Sequence, residues 1–191
     1  MELVFATGNA HKAAEVEQIL RHRLPHVSVG SFSGESPAET GTSFFENARI
    51  KARNVFELTG KPAFADDSGI AVEVMGGAPG IFSAIWSGTR DEVTNRELLL
   101  AQLADIAPEH RKASFVCTVC LVTEAGEVSF TGVWPGAISL VAAGEGGFGY
   151  DPVFIPVGFD VTAAQLPPEV KNSMSHRFLA MSQMADYLIG S

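Results

Sequence analysis

Two adjacent carboxylates, Asp66 and Asp67, follow an apolar run and directly precede Ser68 and Gly69. The apolar run predicts a buried strand, and the Ser-Gly pair predicts a tight turn that ends it. Because consecutive strand residues point to opposite faces, a strand that ends here presents at least one carboxylate at the edge of the sheet. Such a carboxylate can hold a hard cation or accept a proton from water. By frequency alone, an ordinary Asp-rich turn is the commoner explanation.

A second candidate for chemistry is a short segment between an apolar run and a helical pattern, made of Thr7, Gly8, Asn9, Ala10, His11 and Lys12. A Gly-containing turn in that position exposes free backbone N–H groups at the positive end of a helix, which suits phosphate. Lys12 can add a full charge beside them. The segment is not a Walker A motif. A capped helix with a solvated lysine would explain it equally well.

A further carboxylate, Glu39, precedes the second predicted helix, which carries Asn47 and Lys51. Asn47 and Lys51 are four residues apart and therefore share a helix face. A loop glutamate is usually only solvated. If the fold brings Glu39 near Asp67, the two carboxylates and the oxygens of a phosphate would satisfy Mg²⁺.

The glycine-rich run 144–152 surrounds Phe148 and Tyr150. Glycines let the backbone approach a flat ligand closely, and an aromatic ring can stack on that ligand. The alternative is a hairpin corner with two core aromatics. Either way, the run predicts a tight, irregular connection between regular elements.

Three potential cationic donors stand near the start of the last predicted helix: Lys171, His176 and Arg177. Cations are disfavoured at the positive end of a helix, so their presence there suggests an anionic or carbonyl-rich ligand. Exposed charges at a helix start are the plainer alternative. Each of these signals is weak alone, but together they describe a triphosphate-binding site with a metal.

Periodicity places these residues on a small set of elements. Helices are predicted after Asn9 up to Pro25, from a cap at Thr42 or Ser43 to Gly60, near 91–104 and at about 175–188. Strands are predicted at 3–6, at 27–29, up to 66–67, at 70–74 and over 113–123, with a partner strand after a turn at 124–127. The long hairpin makes a purely parallel sheet improbable, so the fold is predicted as α/β with a mixed sheet.

Composition narrows the class of protein. The chain has 191 residues, of which 46% are apolar and 18% charged, and its formal charge is −9. One domain over 1–191 can bury a substantial core. A surface for duplex nucleic acid needs a basic stripe, which this charge disfavours. No segment has the length of a membrane span, and the first residues lack the features of a signal peptide, so a cytoplasmic protein is expected.

The two cysteines, Cys117 and Cys120, have the spacing of a CxxC motif but not its expected geometry. They lie in a predicted strand, where residues three apart face opposite sides and are separated by about 10 Å. That separation forbids a disulfide. Two reduced core cysteines are therefore predicted, not a redox or zinc site.

The chain resembles the inosine triphosphate pyrophosphatases, also called dITP/XTP or non-canonical purine nucleoside triphosphate pyrophosphatases. Six segments carry the resemblance in the family's order: Thr7-Gly8-Asn9 with Lys12, Glu39-Thr40-Gly41 with Phe45-Glu46-Asn47-Ala48, Ala65-Asp66-Asp67-Ser68-Gly69, Gly76-Gly77-Ala78-Pro79-Gly80, Gly146-Gly147-Phe148-Gly149-Tyr150-Asp151-Pro152 and Ser175-His176-Arg177. One position departs, because similar members often carry a basic residue where this chain has Ile85. A phosphate or dimer contact through a basic side chain at this position is therefore not expected in this chain.

The resemblance implies an elongated, two-lobed α/β fold around a twisted mixed sheet, with the substrate in a cleft between the lobes, and a homodimer. It implies Mg²⁺-dependent cleavage of ITP, dITP and XTP to the monophosphate and pyrophosphate, which removes unwanted purines from the nucleotide pool. Asp67 would be the general base and a metal ligand, and Glu39 the second metal ligand, with Asp66 in a supporting position. The implied substrate-binding residues are Thr7, Gly8, Asn9, Ala10, His11, Lys12, Ser68, Phe148, Gly149, Tyr150, Asp151, Lys171, His176 and Arg177.

Two other functions fit part of this pattern. A non-catalytic sensor of purine nucleotides would keep Lys12, Phe148 and Arg177 but would not need both Asp67 and Glu39. A pyrophosphatase for other modified nucleotides could share the phosphate-binding residues. The presence of both carboxylates favours an enzyme over the sensor.

Overall fold

The structure, a computed structural model, describes residues 2–32 and 34–190. Within these residues the helices are α1 (Ala10–Arg23), α2 (Phe44–Thr59), α3 (Glu92–Gln102), α4 (Pro168–Lys171) and α5 (His176–Gly190). The strands are β1 (Glu2–Phe5), β2 (Ser28–Ser31), β3 (Ala63–Val72), β4 (Lys112–Thr123), β5 (Gly126–Ile138) and β6 (Phe154–Pro156). They form a sheet in the order β2-β1-β3-β4-β5-β6.

The sheet contains both kinds of strand pairing. β1 runs parallel to β2 and to β3, whereas β5 and β6 are antiparallel. The predicted α/β class with a mixed sheet is therefore confirmed. None of the helices in the described part of the chain is both long and apolar enough to cross a membrane.

Side-chain caps explain where the first two helices begin. Asn9 caps α1 by accepting hydrogen bonds from two backbone N–H groups, and Ser43 caps α2 by accepting from the N–H of Glu46. Of the two predicted caps for α2, Ser43 is therefore the one used. Gly60, with a φ of 64°, ends α2 in the left-handed conformation that glycine adopts without a steric penalty.

The chain folds into two compact units. The first comprises Met1–Asp67, Cys117–Gly132 and His176–Ser191, and the second comprises Ser68–Val116 and Val133–Ser175. The first boundary lies within β3, between Asp67 and Ser68. β4 and β5 also contain a boundary, so three strands contribute residues to both units.

The first unit has an apolar cluster on each face of its strands. Leu3 and Phe5 pack in one cluster with residues of α1 and α5, while Val4 and Ala6 pack in the other with residues of α2. This separation follows from the two-residue period of a strand. The ring centroids of Phe5 and Phe64 lie 4.7 Å apart in a stacked arrangement. The β3 side chains of this unit, up to Asp67, consequently face either α1 and α5 or α2.

Three aromatic rings pack together in the core of the second unit. The Phe154 ring centroid lies 4.6 Å from that of Phe115 and 5.3 Å from that of Trp134. Near this core the buried Arg111 donates hydrogen bonds to three backbone carbonyls, those of Leu103, Ile106 and Ser139. Arg111 thereby ties the end of α3 to the strands.

The prediction that a strand ends at the two aspartates is wrong. β3 continues from Ala63 through Asp66, Asp67 and Gly69 to Val72, and most of its residues are buried. The glycine serves close packing, because a Cβ at position 69 would overlap the Gly80 carbonyl oxygen and the Ser83 hydroxyl. Adjacent carboxylates remain in a buried strand because neighbouring helices supply cations to both of them.

Smaller differences concern element bounds. β2 covers Ser28–Ser31 rather than 27–29. The predicted strand at 70–74 is the end of β3, followed by a 3-10 turn at Glu73–Met75. The predicted helices, the central strand at 113–123 and its partner strand are confirmed.

Both cysteines are free and buried, as predicted. Cys117 belongs to the apolar cluster beside α1 and α5, and Cys120 to the cluster beside α2, so they point to opposite faces of β4. Burial raises the pKa of the Cys117 thiol to about 12, helped by the charge of Asp66. The thiol is therefore protonated near neutral pH and is not a redox site.

Candidate active site

Asp66 lies at the centre of a buried ionic cluster in the first unit. Its Oδ2 accepts hydrogen bonds from Lys12 Nζ at 3.0 Å and from Arg177 Nη2 at 3.1 Å. Burial alone would raise the pKa of Asp66, but the charges of Lys12 and Arg177 outweigh it and hold that pKa well below its usual range. Its Oδ1 is buried and makes no hydrogen bond to the described residues.

Asp67 points toward α2. Its Oδ1 accepts a hydrogen bond from Lys51 Nζ at 3.1 Å, and its Oδ2 accepts one from Asn47 Nδ2 at 3.3 Å. Burial raises the pKa of Asp67; the charge of Lys51 opposes this shift and that of Glu39 reinforces it. The net result is a carboxylate with a raised pKa, which is a stronger base than an ordinary aspartate.

Lys51 joins the two carboxylates that the family resemblance assigns to the metal. Its Nζ lies 2.8 Å from Glu39 Oε1 and 3.1 Å from Asp67 Oδ1. Burial alone would lower the pKa of Lys51, but the surrounding carboxylates raise it above its usual value. The sequence analysis predicts that Lys51 shares a helix face with Asn47 but assigns Lys51 no role in the site. The four-residue spacing of Lys51 from Asn47, beside buried alanines on the same helix face, could have indicated that Lys51 points into the protein.

The pair Glu39 and Asp67 fits a hard cation. Both carboxylates form an ion pair with the ammonium group of Lys51. Anionic oxygens are also the ligands that Mg²⁺ prefers. The described residues contain no group of three histidines, cysteines or acidic residues that could hold a metal. A two-carboxylate site suits Mg²⁺, which usually retains waters and takes further oxygens from substrate phosphates.

The segment 7–12 is more tightly bonded than predicted. The Asn9 side chain accepts from the N–H groups of His11 at 2.9 Å and Lys12 at 3.2 Å, so these two groups are not free for phosphate. Lys12 is not a solvated lysine, because it is mostly buried against Asp66. Gly8 is exposed with open space around its Cα. The backbone at Gly8 thus remains accessible to a ligand.

A pocket with an empty volume of about 230 Å³ lies beside this segment. Its lining includes Thr7 and Gly8 from the loop after β1, and Lys51 and Asn54 from α2. Glu35 also lines the pocket, so its lining contains both a cation and a carboxylate.

The start of α5 adds buried charge to the first unit. Arg177 binds Asp66 and also donates from Nη1 to Glu15 Oε2 at 2.5 Å, and its side chain is 2% exposed. His176 is also buried. The alternative interpretation of exposed charges at a helix start is therefore wrong for both residues.

The second unit holds the remaining predicted binding residues. Asp151 Oδ2 accepts from the N–H of Phe148 at 2.9 Å and from Lys171 Nζ at 2.6 Å. The same lysine lies 5.2 Å from the centre of the Phe148 ring. Ser68, half-buried, is the first residue of this unit.

Tyr150 is a core residue. Its hydroxyl donates to the Ser83 carbonyl oxygen at 2.8 Å, its ring packs in the apolar cluster of the second unit, and burial raises its pKa. The hairpin-corner interpretation is therefore right for Tyr150. Phe148, Asp151 and Lys171 are brought together, as a binding loop requires.

The chain is similar in sequence to proteins of one family. The model of the Ham1 family matches residues 3–187. A dITP/XTP pyrophosphatase from Leifsonia xyli subsp. xyli is 50% identical, covering 98% of this chain and 96% of its own, and one from Mycobacterium bovis is 47% identical, covering 95% and 92%.

A solved structure of a HAM1 protein from Coxiella burnetii superimposes with a TM-score of 0.90 at 37% identity and covers 100% of both chains. The match thus extends through both compact units and all six segments of the family resemblance. The chain belongs to the Ham1 family.

Proposed function

We propose that this chain hydrolyses ITP, dITP and XTP between the α and β phosphates, with Mg²⁺ as cofactor, and releases the monophosphate and pyrophosphate. Its full-length relatives are named dITP/XTP pyrophosphatases, and the chain is accordingly a hydrolase that acts on phosphoric anhydride bonds. The observation that carries the proposal is Asp67, a carboxylate of raised pKa held by Lys51 beside Glu39.

Asp67 is the residue suited to accept a proton from water. A general base works best when its pKa approaches the working pH, and burial shifts the pKa of Asp67 in that direction. The hydrogen bonds from Asn47 and Lys51 hold both carboxylate oxygens in place. In this proposal Asp67 orients the attacking water and removes its proton.

Charge balance supports a divalent cation at Glu39 and Asp67. The ion pairs around β3 form two groups. In one, Asp66 and Glu15 are balanced by Lys12 and Arg177, whereas in the other Asp67 and Glu39 share the single cation Lys51. The second group is net negative and would repel a triphosphate. When bound, Mg²⁺ would neutralise phosphate charge and polarise the phosphoryl group. Glu39 and Asp67 would hold it.

Lys12 is proposed to stabilise the charge of the departing pyrophosphate. It lies in the first turn of α1, and Asp66 fixes its ammonium group. An oriented cation of this kind needs little reorganisation during the reaction. The Gly8 backbone and the adjacent pocket would accommodate phosphate oxygens.

Choice of base is proposed to depend on the 6-oxo group of hypoxanthine and xanthine, with Arg177 as a donor to it. Adenine presents an amino group there, and an unpaired donor in a buried site can reduce kcat/KM by about 10⁴-fold. Replacing Arg177 with alanine should lower the ITP-to-ATP ratio of kcat/KM. An unchanged ratio in a folded variant would remove Arg177 from base recognition.

The proposal is tested by incubating the protein and Mg²⁺ with dITP, XTP, ITP, GTP, ATP and a modified pyrimidine triphosphate, and measuring pyrophosphate, phosphate and monophosphate. Pyrophosphate released mainly from the first three supports the proposal. Release of single phosphates would contradict the cleavage position. Turnover mainly of the pyrimidine would indicate a different pyrophosphatase, and binding without turnover would indicate a sensor. Omission of Mg²⁺ with added chelator should abolish turnover.

We also propose, from the family resemblance, that the active form is a homodimer. The chain has a mass of 20.2 kDa. Light scattering coupled to size exclusion should therefore give about twice that mass. The mass of a single chain at working concentration would contradict the dimer without affecting the proposed reaction.

A further inference from the structure

One helix holds both backbone polar groups of Gly149. The Oε2 atom of Glu92 accepts a hydrogen bond from the Gly149 N–H at 2.7 Å, and Nη1 of Arg96 donates one to the Gly149 carbonyl oxygen at 2.9 Å. Glu92 and Arg96 are four residues apart in α3 and share one face of it. All three residues belong to the second unit.

The conformation of Gly149 explains why it needs such support. Its φ is 60°, in the left-handed region, and a Cβ added there would meet nothing within 4 Å. Glycine is therefore required for the backbone angle and not for space. Glycine also loses more conformational freedom on ordering than other residues, so an unsupported glycine leaves its loop mobile. The Gly149 N–H donates to Glu92 and its carbonyl oxygen accepts from Arg96, and these two hydrogen bonds select one conformation.

Fixing Gly149 fixes the residue that precedes it. The N–H of Phe148 is bound by Asp151, and the Phe148 ring lies beside the Lys171 ammonium. The following residue, Tyr150, is anchored in the core through its hydroxyl. Gly149 is thus the link between an anchored core residue and a partly exposed aromatic ring. Its peptide orientation determines where the ring of Phe148 lies.

We propose that Glu92 and Arg96 are positioning residues that hold Gly149 and thereby present the Phe148 ring to the base of the bound nucleotide. The proposal rests on the proposed function, because it takes a purine nucleotide as the ligand of this loop. Both side chains act through the Gly149 backbone and neither takes part in the chemical step. Their loss should therefore weaken nucleoside binding and leave turnover at saturation unchanged.

The test compares Glu92→Ala, Arg96→Ala and the double variant with Glu97→Ala as a control. Glu97 is exposed on the same helix and has no hydrogen bond to the described residues of the loop. For each protein, kcat and KM are measured for dITP, the affinity for dIMP by calorimetry, and inhibition by pyrophosphate. Glu92→Gln keeps an oxygen acceptor for the Gly149 N–H and serves as the conservative variant.

The expected result is a rise of about fivefold or more in KM for each alanine variant, because misplaced binding groups cost affinity. The dissociation constant of dIMP should rise in parallel, while kcat and inhibition by pyrophosphate stay near wild type. Because both hydrogen bonds act on one glycine, the double variant should cost less than the product of the two single effects. Glu92→Gln should lie near wild type.

A second variant covers the case in which an alanine substitution unfolds α3. Gly149→Ala keeps both side chains but strains the left-handed backbone, and it should raise KM for dITP and the dIMP dissociation constant in the same way. Wild-type KM values in folded Glu92→Ala and Arg96→Ala would overturn the proposal. Equal losses in pyrophosphate inhibition and thermal stability would show a purely structural role. If wild type itself neither turns over dITP nor binds dIMP, the proposed function fails and this proposal fails with it.

Discussion

At the scale of single residues, two neighbouring aspartates experience opposite environments. Lys12 and Arg177 hold the pKa of Asp66 below its usual range, whereas burial holds the pKa of Asp67 above it. The difference arises because adjacent residues in β3 face different helices, which carry different cations. Asp66 is therefore suited to organise charge, and Asp67 to accept a proton.

Replacing Asp66 with asparagine should lower the free energy of unfolding by about 3 kcal/mol at pH 7, because the buried cations Lys12 and Arg177 lose their common partner. Urea unfolding measures the change. Asp186→Asn is the control, since Asp186 forms an exposed ion pair with Arg23 and such pairs contribute about 0–1 kcal/mol.

This effect has a definite pH dependence. The pKa of Asp66 is lowered in the folded state, so its contribution is present above the unfolded-state pKa of about 4 and is lost as the pH falls below it. The stability difference between wild type and Asp66→Asn should narrow on acidification. A difference that is absent at pH 7, or that widens in acid, would contradict the account of Asp66.

Lys51→Met should reduce kcat/KM for dITP by about tenfold or more, because two carboxylates that share one cation would then repel each other. Methionine keeps much of the apolar stem and limits the packing loss. Pyrophosphate release is the measurement, and Lys61→Met, which removes an exposed ion pair with Glu2, is the control. A rate within twofold of wild type would show that Lys51 is dispensable.

Sequence patterns located most charged residues of this site but not their pairing. Spacing put Asn47 and Lys51 on one face of a helix, and both bind Asp67. The pattern could not say which strand that face covers, so Lys51 received no role. The pairing of Arg177 with Asp66 spans 111 residues of sequence, and no local pattern records such a contact.

At the scale of elements, α1, α2, α3 and α5 were predictable because their apolar stripes are explicit in the sequence, as are the caps of α1 and α2. The break in β3 was predicted wrongly, since Asp-Asp-Ser-Gly favours a turn when no partners are known. Tertiary contacts reverse that preference: cations reach both carboxylates, and the segment after Gly69 packs against Ser83. The continuous strand is what fixes both aspartates rigidly.

Gly69→Ala tests this close packing. The added methyl group would overlap the Gly80 carbonyl and the Ser83 hydroxyl, and overpacking of this kind costs about 1–3 kcal/mol. Urea unfolding should show a loss in that range. Gly30→Ala is the control, because position 30 is an exposed strand residue with room for a Cβ. If Gly69→Ala and Gly30→Ala were equally stable, the close packing at position 69 would be contradicted. Gly69 would then lie in a turn rather than in a continuous strand.

At the scale of the whole molecule, three strands connect the two compact units covalently, and one unit boundary falls directly after Asp67. The first unit carries Asp67 with its ion pair to Lys51, and the second carries the loop around Phe148. The fold class and the order of the motifs could be predicted from the sequence. The position of the boundary depends on contacts between distant segments and could not be predicted.

The net charge of −9 predicts that the chain does not bind duplex nucleic acid. A surface for duplex nucleic acid needs a basic stripe, which a chain this acidic disfavours. We expect no shift of a 20–30 base-pair duplex in a gel at 0.1 M salt with micromolar protein. A salt-sensitive shift would contradict the restriction to small nucleotides.

The central claim is that Asp67, and not Asp66, is the general base. The most direct test measures kcat for pyrophosphate release from dITP by wild type and Asp67→Asn, with thermal unfolding as the control for folding. The account predicts that Asp67→Asn lowers kcat by about 10²-fold or more. It also predicts no loss of thermal stability, because the buried carboxylate of raised pKa is costly to keep charged. Near wild-type turnover by a folded Asp67→Asn protein would contradict the claim.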